Sequence, residues 1–243
     1  MWGIIPAAGM GTRIQPLAFS KELLPVGSHV EDGRERPRAI SEYLIARMIH
    51  AGVRRICMVI APGKSDIVSY YGAGTASARI CYTVQPQPQG LCDALFRPIP
   101  FIRPEDMIFI GLPDTVWFPE NGFSFLPSDR LSFLLFPVEK PAFYDAVLTD
   151  EDNRVQEIRV KQPSPGTNWI WGAVKLPGSI YHALHNLWIE RDRKDVYLGS
   201  LVNAFLESGG MALGIKAGSA YVDVGTIHGY KEAIRLLGSG PST

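Results

Sequence analysis

A chain of 243 residues, 46% apolar and 20% charged, has the material for one large α/β domain or two small ones, and one domain over residues 1–237 is expected. Lysine plus arginine and aspartate plus glutamate each total 24, so no bulk field draws nucleic acid or an anionic membrane, and any anion site has to be built locally. Cys57, Cys81 and Cys92 stand apart without a C-x-x-C pair, which argues against a zinc site or a disulfide framework.

The first residues carry no basic region or cleavage site, and no apolar run approaches the roughly 20 residues that span a bilayer. A cytoplasmic protein with no membrane or nucleic-acid partner is the expectation. Ile4, Ile5, Pro6 and Ala7 read as a short buried strand. Ala8, Gly9, Met10, Gly11 and Thr12 then make a small-residue turn whose backbone can approach a ligand closely. Arg13 and Lys21 add two cations, so a polyanion lying on exposed N–H groups would meet positive charge. Gly11 is not followed by the Lys-Ser/Thr of a Walker loop, and no third glycine completes a dinucleotide fingerprint.

Residues 30–38, VEDGRERPR, read as a charged surface loop before a helix that starts near Ser41 and carries Leu44, Ile45, Met48 and Ile49 on one stripe. Residues 55–61 form an apolar strand, 66–71 a short helix and Arg79–Val84 a third strand, the pattern of a parallel sheet covered on both faces. Ligands of such sheets sit at the carboxyl ends of the strands, where the glycine turn lies. Gln85 and Gly90 follow in QPQPQGLCDAL, and a glutamine amide offers a donor and an acceptor to a base edge. The strand Met107–Gly111 delivers Asp114, an acid placed to hold a hard cation. Strands are expected at Leu131–Pro137, 146–148 and Val155–Val160, the last leading to Lys161. Trp169 and Trp171 precede Gly172 on another strand, and indoles at i and i+2 suit a core as well as a site. His182 and His185 lack a third ligand and read as solvated helix residues. A helix at 196–208 and a strand at 211–216 precede Asp223, an acid between Val222 and Val224 that needs a polar pocket or a partner. Residues 238–243 read as a flexible tail.

Gly9, Gly11, Thr12, Arg13, Pro16, Lys21, Leu23, Leu24, Pro25 and Val26, in this order, resemble the signature of the sugar-1-phosphate nucleotidylyltransferases. Ser20-Lys21 and the Gln85 block look most like the thymidylyl branch, and the resemblance extends with gaps to Leu237. It implies a Rossmann-like three-layer α/β/α nucleotidyltransferase fold with a mixed, mostly parallel central sheet. The nucleotide would lie on Ala8, Gly9, Gly11, Thr12, Gln85 and Gly90, the sugar on Lys161, Trp171 and Gly172, and Mg2+ on Asp114 and Asp223. Family members are often dimers or tetramers, so a homo-oligomer is implied, without the β-helical acyltransferase domain of some relatives. The family usually shows Tyr-Gly and Glu-Lys-Pro around the hairpin that carries the sugar lysine. Here Tyr144-Asp145 and Val160-Lys161 stand instead, so the carboxylate expected on sugar hydroxyls is missing at 160.

The reaction implied is attack by a sugar-1-phosphate oxygen on the α-phosphorus of a nucleoside triphosphate, with pyrophosphate leaving in line. A phosphate dianion needs no general base at neutral pH, which suits a sequence without a Ser-His-Asp arrangement. Arg13, Lys21 and Lys161 would carry catalysis by neutralising and positioning phosphates. The substrates expected are dTTP and glucose 1-phosphate. UTP or CTP with another hexose 1-phosphate, or a non-catalytic sugar-nucleotide-binding homologue, are the alternatives.

Overall fold

In the computed structural model, residues 1–31 and 33–238 are described. The strand expected at the start is β1 (Trp2–Ala7), and it is the centre of the molecule. Its side chains alternate across the sheet: Ile4 joins a core cluster on one face, Ile5 and Ala7 a cluster on the other. β4 (Arg55–Ile60) pairs parallel with β1 on one side, and β6 (Met107–Gly111) on the other. β5 (Arg79–Val84) extends the sheet beyond β4. Ile56, Cys57, Met58 and Val59 are all fully buried, because a strand covered on both faces has no polar side to show.

Beyond β6 the sheet becomes mixed. β11 (Trp169–Pro177) runs antiparallel to β6 and also to β8 (Leu131–Pro137), whose far side carries β12 (Ala212–Ile215) in parallel. Where β6 ends at Gly111, opposite Ala173, β9 (Asp145–Thr149) takes over the same edge of β11 at Ile170. β10 (Val155–Val160) closes that end of the sheet against β9. Of these nine strands only β10 and β11 run against the rest, so most carboxyl ends face one way.

Helices cover both faces. α3 (Leu91–Phe96), α4 (Gly178–Glu190) and α5 (Leu198–Glu207) bury Leu95, Tyr181, Trp188 and Leu201 against one face. α1 (Ile40–His50) and α2 (Ser65–Tyr71) bury Leu44, Met48 and Ile67 against the other. This is the three-layer α/β/α arrangement expected. A third, smaller core forms where β7 (Thr115–Phe118) pairs with β13 (Ala220–Asp223) beneath α6 (Ile227–Gly238).

Some local expectations change. Residues 30–38 belong largely to a hairpin of β2 (Pro25–Glu31) and β3 (Arg34–Ala39) rather than to an open loop. Its second strand is mostly exposed, so it lacks the apolar alternation by which a half-buried strand is recognised; polar pairs such as Ser28 Oγ to Glu35 Oε1, 2.5 Å, bridge it instead. Ser41 does not cap α1: its hydroxyl is buried and donates to the Glu22 carbonyl at 2.6 Å, and Ala39 takes the cap position. From residue 239 onward, the tail expected at 238–243 lies outside the described residues, and Gly238 ends α6.

Gly111 shows how tightly the layers meet next to Asp114. A Cβ there would stand 2.4 Å from Leu44 Cδ1 of α1. Gly111→Ala should therefore destabilise the fold by ~1–3 kcal/mol through overpacking, read as a lower urea midpoint at unchanged m-value.

Candidate active site

β1 and β6 are neighbours and parallel, so their carboxyl ends place the glycine turn and Asp114 side by side. In the turn Gly11 has φ +63, and the Ile14 N–H donates to its carbonyl at 3.0 Å. A Cβ on Gly11 would lie 2.8 Å from Lys21 Cδ, and one on Gly9 3.9 Å from Lys21 Nζ. The turn therefore folds over the lysine stem, and glycine is needed there both for its backbone angle and for the close approach. Ala8 is buried beneath the turn, while Thr12 and Arg13 are exposed.

Lys21 Nζ meets Asp114 Oδ2 at 2.5 Å, with side chains only 14% and 12% exposed. Burial, the largest single effect, disfavours both charges, but the partner's charge and hydrogen bond together with smaller contributions from neighbouring groups outweigh it: the lysine is held above its ordinary pKa and the aspartate below. Arg13 Nη2 reaches Asp223 Oδ2 at 3.1 Å across 210 residues of sequence, and the Gly225 N–H donates to Asp223 Oδ1 at 2.8 Å. The Val224 N–H donates to the Asp114 carbonyl at 2.8 Å, tying the two acidic loops together. A Cβ on Gly225 would sit 2.8 Å from Asp223 Oδ1, 2.9 Å from Arg13 Nη2 and 3.3 Å from Asp114 Oδ2. Both carboxylates thus converge on one point. Two hard oxygen donors there fit Mg2+, which usually takes one or two carboxylates together with substrate phosphates.

A second buried pair, which sequence reading missed, supports the first. Lys64, after β4, bonds Glu22 Oε1 and Oε2 at 2.7 and 2.8 Å and the Ala7 carbonyl at 2.7 Å. Burial pushes the glutamate up and the lysine down, each opposed by the charge of the other. Lys64 thereby fastens the end of β1 to the segment bearing Lys21. Asp66 fastens the same segment further on, accepting from Ser20 N at 2.6 Å and Ser20 Oγ at 2.7 Å. The only sequence signal was a lysine and an acid just past the carboxyl end of β4.

A pocket of about 530 Å³ opens between the glycine turn, the Lys64 loop and residues 85–88, and Ala8, Lys21, Lys64 and Gln85 are among its walls. Gln85 Nε2 donates to the Gly90 carbonyl at 3.0 Å and to Asp93 Oδ2 at 2.8 Å. A carboxylate only accepts, so this contact fixes the amide orientation, and both amide hydrogens are committed. The Gln85 carbonyl oxygen remains for a ligand. Gly90 has φ +95, and a Cβ there would come within 2.5 Å of Val196 Cγ1. It is the glycine the chain needs where the 196 loop crosses the start of α3.

Lys161 is exposed at the end of β10, with φ +46, and its Nζ lies 4.5 Å from the centroid of the Tyr197 ring. Its N–H donates to the Tyr144 carbonyl at 3.1 Å. The acid that the resemblance places beside it is absent at Val160, whose cross-strand partner is Asp145. Trp171 is 6% exposed and packs beside Phe133, so it offers no open ring face to a sugar. Gly172 is demanded by packing: a Cβ there would stand 2.6 Å from the rings of Phe136 and Tyr221. Sequence reading thus finds Arg13, Lys21, Asp114 and Asp223 gathered in one cluster, with Gln85 and Gly90 at a second wall and Lys161 at a third place. The parts played by Lys64, Glu22 and Asp66 are legible only in the fold.

The chain belongs to the nucleotidyl transferase family, which it matches over residues 2–239. It is 26% identical to the glucose-1-phosphate thymidylyltransferase of Neisseria meningitidis, covering 98% of this chain and 82% of that one. It is 24% identical to the UTP–glucose-1-phosphate uridylyltransferase of Haloferax volcanii, covering 98% and 96%. Among solved structures, one assigned as a glucose-1-phosphate thymidylyltransferase from Bacillus anthracis superposes with a TM-score of 0.81 at 20% identity, over 99% of this chain and 96% of that one. A UTP-bound UGPase from Acinetobacter baumannii gives 0.76 at 20% identity, over 99% and 94%. Among the described residues no helix is long and apolar enough to cross a membrane.

Asp66 supplies a pH signature for this site. Burial opposes its charge, but the bonds from Ser20 and the Ile67 N–H hold its carboxyl below the ordinary range. Its contribution to stability is present above the unfolded aspartate value, about 3.9, and is lost as pH falls through the lower folded value. Urea midpoints measured from pH 6 to pH 2 should fall less steeply for Asp66→Asn than for the wild type.

Proposed function

We propose that this nucleotidyltransferase joins a nucleoside triphosphate, dTTP, to glucose 1-phosphate, giving dTDP-glucose and pyrophosphate. The observation that carries the reading is the convergence of Lys21, Arg13, Asp114 and Asp223 beneath the glycine turn at the carboxyl ends of β1 and β6. A sugar-phosphate oxygen forms the new bond to the α-phosphorus, the α–β bridging bond breaks, and its electron pair leaves with pyrophosphate. The attacking phosphate is already largely dianionic at neutral pH, so no protein base is required. Arg13 steadies the triphosphate and the departing pyrophosphate, Lys21 the phosphates nearest the reacting centre, and Lys161 the sugar phosphate. Asp114 and Asp223 would hold magnesium, which supplies charge neutralisation at the α-phosphate. A pure binder has no need of such a pair of acids beside two cations, which speaks against a non-catalytic homologue.

Gln85 narrows the base. With its amide hydrogens taken by Gly90 and Asp93, it offers an acceptor, which suits the N3–H of thymine or uracil and not the unprotonated N3 of cytosine. UTP remains the second reading, since both pyrimidines carry that N–H and the relatives include a uridylyltransferase. Residues 1–237 would act as one cytoplasmic domain, assembled as a homo-oligomer as is common in the family.

Pyrophosphate release with magnesium, across dTTP, UTP, CTP, ATP and GTP against glucose, galactose, mannose and N-acetylglucosamine 1-phosphates, tests the reading. dTTP with glucose 1-phosphate should be strongest and CTP inactive; silence across the grid would overturn the transferase assignment. Asp223→Asn should fold normally and lose roughly 10²–10³-fold in kcat, as expected for removing one electrostatic element from such a site. Near wild-type turnover at saturating magnesium would sink its role.

A further inference from the structure

Two thiols outside the candidate active site stand opposite each other in the sheet. Cys57 of β4 and Cys81 of β5 are direct partners in the parallel ladder, with Ile56 paired to Ile80 and Met58 to Tyr82 on either side. Direct partners point to the same face, and neighbouring strands lie about 4.8 Å apart. That spacing falls within the Cα separation a disulfide requires, about 4.4–6.8 Å. The two thiols are free and meet in a hydrogen bond.

Their surroundings differ. Cys57 is fully buried, whereas Cys81 lies on the outermost strand and is partly exposed. Negative charge therefore settles on Cys81, because burial penalises a thiolate more at Cys57. The Cys57 S–H donates to the Cys81 sulfur, and this bond brings the Cys81 thiol down to about 7 against the opposing effect of its own partial burial. The same bond, together with burial, pushes the Cys57 thiol up. Thr83 Oγ1 lies 3.6 Å from Cys57 Sγ, where its hydroxyl can donate in turn. Cys92 is the contrast: it is fully buried, and its thiol is pushed up by burial and by the charges of Asp195 and Asp145.

A thiolate open to solvent beside a second thiol is the combination that a redox-reactive cysteine needs. We propose that Cys81 is a reaction site for peroxides and that Cys57 resolves it, closing a reversible disulfide between β4 and β5. With hydrogen peroxide, the Cys81 sulfur bonds one oxygen, the O–O bond breaks, and its electron pair leaves on hydroxide, which takes up a proton to become water. The sulfur is thereby oxidised to a sulfenic acid and the peroxide reduced. Cys57 sulfur then bonds Cys81 sulfur, the S–O bond breaks, and the departing hydroxide takes the Cys57 proton as a second water. A thiol reductant opens the disulfide by exchange. The site is independent of the proposed transferase reaction.

The test uses the whole, fully reduced protein. With limiting iodoacetamide, Cys81 should be alkylated before Cys57 and Cys92, at a rate half-maximal near the pH at which its thiol ionises, about 7. Hydrogen peroxide should make the unalkylated protein lighter by two hydrogen atoms without forming dimers. Peptide fragmentation should place the bond between Cys57 and Cys81 with Cys92 still a thiol, and dithiothreitol should restore the mass. Cys57→Ala should stop at a Cys81 sulfenic acid, trapped by dimedone, and its alkylation midpoint should move up toward the roughly 8.5 of an ordinary cysteine. A cysteine that merely fills space would show neither change. The proposal is overturned if wild-type Cys81 is alkylated no faster than Cys92, if peroxide leaves the mass unchanged, or if the bond engages Cys92 or joins two molecules. These wild-type results decide the matter even where the variant fails to fold, and none of them bears on pyrophosphate release.

Discussion

The Lys21–Asp114 ion pair is the contact on which the site depends. Each charge is nearly enclosed, and each makes the burial of the other tolerable. The pair exists only because β1 and β6 lie parallel and adjacent, so that their carboxyl ends open at the same level. The glycine turn covers the lysine stem, the Lys64–Glu22 pair anchors the segment from which Lys21 projects, and the Val224 N–H holds the Asp114 loop against Asp223.

The arrangement is balanced in charge. Arg13 faces Asp223, Lys21 faces Asp114 and Lys64 faces Glu22, so each of the three cations at the centre has a carboxylate partner. Under the proposed function this balance has a use. A triphosphate and a divalent cation would bring opposite charges to the same place, where Lys21 and Arg13 would serve phosphate and Asp114 and Asp223 would hold the metal. Partners would then be exchanged instead of isolated charges being buried, and the near-enclosure of Lys21 and Asp114 would strengthen the new contacts they make.

On the proposed reading, the base end of the site is settled before a substrate arrives. At the base end Gln85 is committed to Gly90 and Asp93, and Arg97 clamps Asp93 in turn with its closest contact at 2.7 Å, so one acceptor is presented in a fixed direction. Under the proposed function, selectivity for the base would come from preorganisation.

The nine strands of the main sheet, the helices α1, α2, α4 and α5, the glycine turn and the candidate residues Arg13, Lys21, Asp114 and Asp223 were legible in the sequence, because apolar runs of strand length and glycines ahead of cations leave local marks, whereas α3 and α6 were not. The β2–β3 hairpin left none, being polar on its outer strand, and β7 was hidden in the run that follows Asp114. Trp171 and Gly172 looked alike as site residues until packing placed the indole beside Phe133 and the glycine against Phe136 and Tyr221. Only the tertiary structure decided that Lys64 serves Lys21, that Gly225 is where two carboxylates meet, and that Asp145 stands across the ladder from Val160. Charge pairing and hydrogen bonding are properties of neighbours in space, and these neighbours are brought together by strand pairing from distant parts of the chain.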